Sequence, residues 1–149
     1  MPDRPSDSVI LERARSLCNE ACFTCESDFI LVRNGTGLSK IELAIGECKT
    51  SQPIEQQDID SLSRVARGLA SHYIEPYVVF SKTAKFSDDE LALIRPLLDA
   101  REYHVILFGQ DELEPYFPYE RSKDKLGDKR LVMNLSDFAN NTKIIYFSK

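Results

Sequence analysis

The chain has 149 residues, 42% of them apolar and 29% charged, with a formal net charge of −5. That is about one domain, with enough apolar residues for a core and, at six Gly and seven Pro, too few breakers for a collagen-like or low-complexity chain. The acidic balance argues against a protein that coats polyanions through overall charge, while leaving room for nucleic acid held by a local patch or through a metal.

Residues 1–7 carry two Pro and no apolar periodicity and read as a loose lead-in. They lack the apolar stretch of a secretory signal, and no apolar run approaches the roughly 18–20 residues that cross a bilayer. A cytoplasmic, reducing setting without a membrane partner is therefore expected. There the four Cys would be thiols or metal ligands rather than disulfides. From Ser8, the residues Val9, Ile10, Arg13, Ala14, Leu17 and Ala21 recur at helical spacing, which predicts a helix over 8–21. Phe29-Ile30-Leu31-Val32 then predicts a strand, Asn34-Gly35-Thr36-Gly37 a tight turn, and Lys40 to Lys49 a second strand, together an antiparallel hairpin. On the second strand Ile41, Leu43, Ile45, Glu47 and Lys49 share one face, while the small residues Ala44, Gly46 and Cys48 share the other.

Past Pro53, an apolar stripe at Ile59, Leu62, Val65, Ala66 and Leu69 predicts a helix from Glu55 to about Tyr73, with acidic residues in its first turn. Tyr77 to Phe80 predicts a buried strand. Ser87 and Glu90 have the form of a capping box opening a helix that carries Leu91, Leu93, Ile94, Leu97 and Leu98, and His104 to Phe108 is a further buried strand. A helix crossing between two apolar strands is a βαβ unit, so a mixed α/β sheet with helices on both faces is expected. Beyond Asp111 the signal weakens to a Pro-aromatic stretch over 114–119, a basic polar loop over 121–130 and a short turn or helix over 136–141.

Chemistry concentrates on the hairpin. Asp28 lies at the first strand, and Glu47-Cys48-Lys49 ends the second. Two carboxylates from neighbouring strands suit a hard cation such as Mg²⁺, which takes one or two protein carboxylates and keeps several waters. The Cys48 carbonyl offers a further oxygen. Lys49 is placed to orient water or to stabilise charge developing on a phosphate. Taken alone, Glu47 and Lys49 are also a same-face ion pair of the kind that contributes little.

Asp28, followed nineteen residues on by Glu47-x-Lys49 at the end of a hairpin that leads into a helix, resembles the PD-(D/E)xK, or restriction-endonuclease-like, nuclease superfamily. Ile45-Gly46-Glu47-Cys48-Lys49-Thr50, the helix that follows and the strand Val78-Val79-Phe80-Ser81-Lys82 carry the likeness over about residues 8–108. The resemblance implies a single domain whose αβββαβ core is a mixed sheet flanked by helices, with 109–149 as an extension. It implies Mg²⁺- or Mn²⁺-dependent cleavage of DNA, with Asp28, Glu47 and the Cys48 carbonyl as metal ligands and Lys49 as the catalytic lysine. Glu12 or Glu20 would be an accessory acid from the first helix. Ser27 stands where the family often has Pro. The Gln-x-x-x-Tyr motif of the exonuclease branch is absent, since Ser61 follows Gln57 at the fourth position. By analogy the setting is bacterial defence or DNA repair, with a homodimer or larger complex supplying targeting.

Other residues are weighed on the same footing. Lys82 and Lys85, after a central strand, are candidates for contact with a nucleic-acid backbone. The basic loop offers a phosphate-contacting arm or a solvated surface. Tyr116, Phe117 and Tyr119 offer base stacking or core packing. Cys18, Cys22 and Cys25 suggest zinc or an iron–sulfur cluster against small core residues, and hence a thiol or zinc regulator as another class of function. His72 and His104 read as structural. The main competitor to the nuclease is an inactive module of the same fold that binds nucleic acid or a protein.

Overall fold

The computed structural model of the chain describes residues 27–34, 40–113, 119–127, 132 and 134–148. The expected helix over 8–21, most of the Asn-Gly turn, and Glu12, Glu20, Cys18, Cys22, Cys25, Tyr116 and Phe117 lie outside the described residues. Among the described residues, four strands form one mixed sheet in an α/β fold, in the order β1-β2-β3-β4. β1 (Phe29–Arg33) pairs antiparallel with β2 (Ile41–Lys49), while β3 (Ile74–Lys82) and β4 (His104–Phe108) run parallel to β2. Two strands precede the first described helix, so the αβββαβ order is not complete within the described residues.

Each element follows from its residues, with instructive shifts at the ends. α1 (Gln56–Leu69) opens with a reciprocal box between Glu55 and Asp58. It stops four residues short of the expected end because Ser71 Oγ accepts the amides of Tyr73 and Ile74 and turns the chain into β3. β3 is longer than its apolar run, since Glu75 and Pro76 also pair with β2. Pro76 costs no ladder bond there. Alternation along a parallel ladder aims its nitrogen at the β4 side, where pairing begins only at Tyr77.

α2 (Asp88–Ile94) carries the expected Ser87–Glu90 capping box and tightens into a 3₁₀ turn over Arg95–Asp99, where Pro96 has no N–H to give an α-helical bond. Two short turns follow β4, Glu120–Ser122 and α3 (Lys123–Leu126). α4 (Leu135–Thr142), capped by Asn134 and Asp137, runs into a π-helical turn over Lys143–Phe147.

The sheet carries an apolar layer on each face. On one side Leu43, Ile45, Val78, Phe80, Val105 and Leu107 pack under Ile59, Leu62 and Ala66 of α1 and Ile94 of α2. On the other, Ala44, Tyr77, Val79 and Ile106 pack under Leu135 and Ala139 of α4. The small side of β2 is thereby explained: Phe29 lies across Gly46, where an added Cβ would meet its ring. α4 closes the second layer, while Tyr146 and Phe147 of the π turn pack against the first, and Thr142 Oγ1 accepts the Leu107 amide at 3.0 Å. Among the described residues no helix is long and apolar enough to cross a membrane.

Candidate functional site

β2 carries Leu43 and Ile45 into the core and then, on the same face beyond the apolar layer, Glu47 and Lys49, both half-buried. β1 reaches this corner from the other side. At Asp28 the chain bends out of the strand, its N–H donating to Gly46 O at 3.0 Å. The Asp28 carboxylate accepts the Cys48 amide at 2.6 Å and so stands where a longer β1 would present a main-chain carbonyl. Ser27 Oγ donates to Gly46 O at 3.1 Å and to Phe29 O at 3.0 Å, which ties the bend down. The Lys49 carbonyl accepts the Thr83 amide across to β3, so strand alternation turns the Cys48 amide and carbonyl together toward Asp28.

The Lys49 ammonium is shared. Nζ lies 2.9 Å from Glu47 Oε1 and 3.1 Å from Asp58 Oδ1, while the other Asp58 oxygen accepts the Glu55 amide at 2.9 Å in the helix cap. The hydrogen bond to Glu47 raises the Lys49 pKa most; partial burial opposes it, and Asp58 adds to the rise. Lys49 is therefore a cation at neutral pH, with one of its three N–H donors left over. Burial, then the charges of Asp28 and Glu47, push the exposed Cys48 thiol above its ordinary range. It stays protonated at neutral pH, which disfavours it as a nucleophile or soft ligand.

The oxygens at this corner fit a hard divalent cation better than zinc. Asp28 retains an oxygen outside its bond to Cys48, Glu47 is the residue before Cys48 on β2, and the Cys48 carbonyl turns toward Asp28. Among the described residues no three His, Cys, Asp or Glu side chains are gathered into a metal-holding group, so any cation here would depend on two carboxylates, a carbonyl and solvent.

Lys82 and Lys85, both candidates for contact with a nucleic-acid backbone, are placed in opposite surroundings. Lys82 is the last residue of β3 and points inward: its ammonium lies 2.7 Å from Glu90 Oε1, with both side chains about 5% exposed. The sheet register, which sets it beside Lys49 on the core face, removes it from any nucleic-acid backbone. Lys85 is 72% exposed and pairs with Asp111 at 3.3 Å. The described part of the basic loop is helical, fastened by buried Ser122 and Leu126. Arg121 meets Asp111, and Lys125 donates to Ile145 O. Tyr119 packs in the core with Phe108 and Phe138, and His104 meets Glu75 at 3.0 Å at the far end of the sheet.

Two residues of this corner escape sequence reasoning. Asp58 is legible as a helix-cap acid but not as the second holder of Lys49. Glu90 is legible as a capping-box acid, but it also binds Lys82 and accepts the Ile54 amide at 2.8 Å. Comparison with family models, with characterised proteins and with solved structures finds no match.

Proposed function

We propose that the chain hydrolyses phosphodiester bonds in DNA with the help of a divalent cation, Mg²⁺ or Mn²⁺, in a restriction-endonuclease-like core. The single observation that carries this reading is the corner itself: the Lys49 ammonium at 2.9 Å from Glu47, with the Asp28 carboxylate on the amide of the intervening residue. Asp28, Glu47 and the Cys48 carbonyl would hold the cation. Bound there, it supplies Lewis acidity and offsets the repulsion between two carboxylates and an incoming phosphate. Lys49 is kept charged by Glu47 and Asp58, so it acts as a donor, to the attacking water or to a phosphate oxygen gaining charge, and not as a base. Asp58 holds Lys49 in place.

A second reading has its own support. Asp28, Glu47, Lys49 and Asp58 already satisfy one another or the backbone, as the corner of a non-catalytic binding module would. Plasmid, linear and single-stranded DNA incubated with the full chain in Mg²⁺ or Mn²⁺ separate the two. The nuclease requires cleavage that chelation abolishes and that falls about 10²–10³-fold in Lys49→Ala, with a similar loss in Glu47→Ala. Cleavage equal in Lys49→Ala and the parent chain would reject it, and retarded but uncut DNA would favour the module.

A further inference from the structure

A second polar feature lies at the same edge of the sheet. The segments that leave β3 and β4 enclose, with α3 and the C-terminal π turn, a cavity of about 350 Å³, within the range of about 300–1,000 Å³ of small-molecule sites. Its floor is the Glu112 carboxylate, 3% exposed. This group is held by the Gly109 amide at 3.0 Å, by Ser122 Oγ at 3.3 Å and by the Tyr146 hydroxyl. Among the described residues its hydrogen-bond partners are all neutral. A carboxylate buried among neutral partners is costly, so a donor that reaches it from the cavity is favoured.

The neighbourhood is unusual in two further ways. Tyr119 adopts a left-handed backbone (φ 71°) as it opens the turn that delivers Ser122, a conformation that costs energy for a bulky residue. Its buried hydroxyl has no partner among the described residues. At the rim the chemistry reverses. Lys85 and Arg121 share Asp111 at 3.3 and 3.4 Å and stay 72% and 60% exposed, and Lys125 donates to the Ile145 carbonyl. Three cations thus face the rim carboxylates Asp111 and Asp124, with Phe86 as an aromatic wall.

A free phosphate would satisfy the rim and leave the floor; a simple amine would do the opposite. A nucleotide does both. We propose that the cavity binds one unpaired nucleotide, its phosphate on Lys85, Arg121 and Lys125 and an exocyclic amine of its base donating to Glu112. This rests on the nucleolytic reading for the source of the nucleotide. β4 lies two strand spacings from β2, roughly 10 Å, so the occupant is a nucleotide flanking the bond presented to Lys49.

The test is binding of dCMP, dTMP and inorganic phosphate to the full chain in EDTA, followed by amide chemical shifts. Saturable shifts at Gly109, Glu112 and Ser122 with dCMP, weaker with dTMP and absent with phosphate, are expected. Glu112→Gln should erase the preference for dCMP, a loss of about tenfold. Lys85→Ala, an exposed change that leaves the fold intact, should weaken both nucleotides. No saturation, or equal binding of phosphate and dCMP, would overturn the subsite. The parent chain tells the two readings apart: dCMP bound but DNA uncut rejects the nuclease alone, and DNA cut without dCMP binding rejects the subsite alone.

Discussion

Lys49 and Lys82 are neighbours in the parallel register of β2 and β3, on the same face of the sheet, yet the protein treats them differently. Lys82 is about 5% exposed and has one carboxylate partner, Glu90, which also accepts the amides of Ile54 and Ser87. Lys49 is 23% exposed and divides its charge between two carboxylates on different elements. One strand spacing separates a buried strut from a partly exposed ammonium shared between two acids. The lesson is that charge at a strand end is no guide to chemistry until burial and the number of partners are known.

The sharpest way to break that comparison is to remove each ammonium in turn. Lys82→Ala leaves Glu90 buried and unpaired and should cost about 3–5 kcal/mol, whereas Lys49→Ala should cost less than about 1 kcal/mol, both read from urea unfolding followed by far-UV circular dichroism. The double change Lys82→Met with Glu90→Gln should recover part of the first loss, because it leaves no buried charge while the Gln oxygen still accepts the Ile54 amide. Equal costs for the two single alanines would erase the distinction.

Acid sharpens the same contrast. Burial pushes the Glu90 carboxyl up, but the Lys82 ammonium and the amides of Ser87 and Ile54 outweigh it, and the group sits below its ordinary value of 4.5. The unfolded chain therefore binds this proton more readily. The stabilisation is present above about pH 4.5 and is lost as pH falls through the lower folded value. The stability gap between the parent chain and Glu90→Gln should narrow over that window, measured by thermal unfolding at stepped pH. A gap that stays constant would mean that Glu90 does not act through its charge.

What could be read beforehand divides along similar lines. The alternation that takes β2 from Ile41, Leu43 and Ile45 to Glu47 and Lys49 is local, and so are the Ser87–Glu90 cap, the hairpin strands and β4. The second partner of each acid is not. Glu90 reaches Ile54 across 36 residues, and nothing near Lys82 in sequence announces that its ammonium turns inward. The length of β3 was hidden by Pro76, a breaker wherever its nitrogen faces a partner strand and harmless here because pairing with β4 starts one residue later. The docking of α4 against β4 was equally invisible. Gly46 and Ala44 announce a close approach without saying by what.

The smallest expected effect isolates the outer lysine. Asp58→Asn keeps an oxygen to accept the Glu55 amide, so the cap of α1 survives, but it takes one of the two charges from Lys49. The change in stability should be less than about 1 kcal/mol, while the Lys49 pKa, raised above 10.5 chiefly by Glu47 and further by Asp58, should fall toward that value. Because the folded value is the higher one, the stability Lys49 contributes is complete below pH 10.5 and disappears as pH rises through the folded value. Asp58→Asn should start that alkaline loss earlier. Titration of ¹³C-methylated Lys49 reads the shift directly. If Asp58 only caps the helix, the titration curve will not move; if it also holds the ammonium, the curve moves to lower pH while the helix content stays as it was.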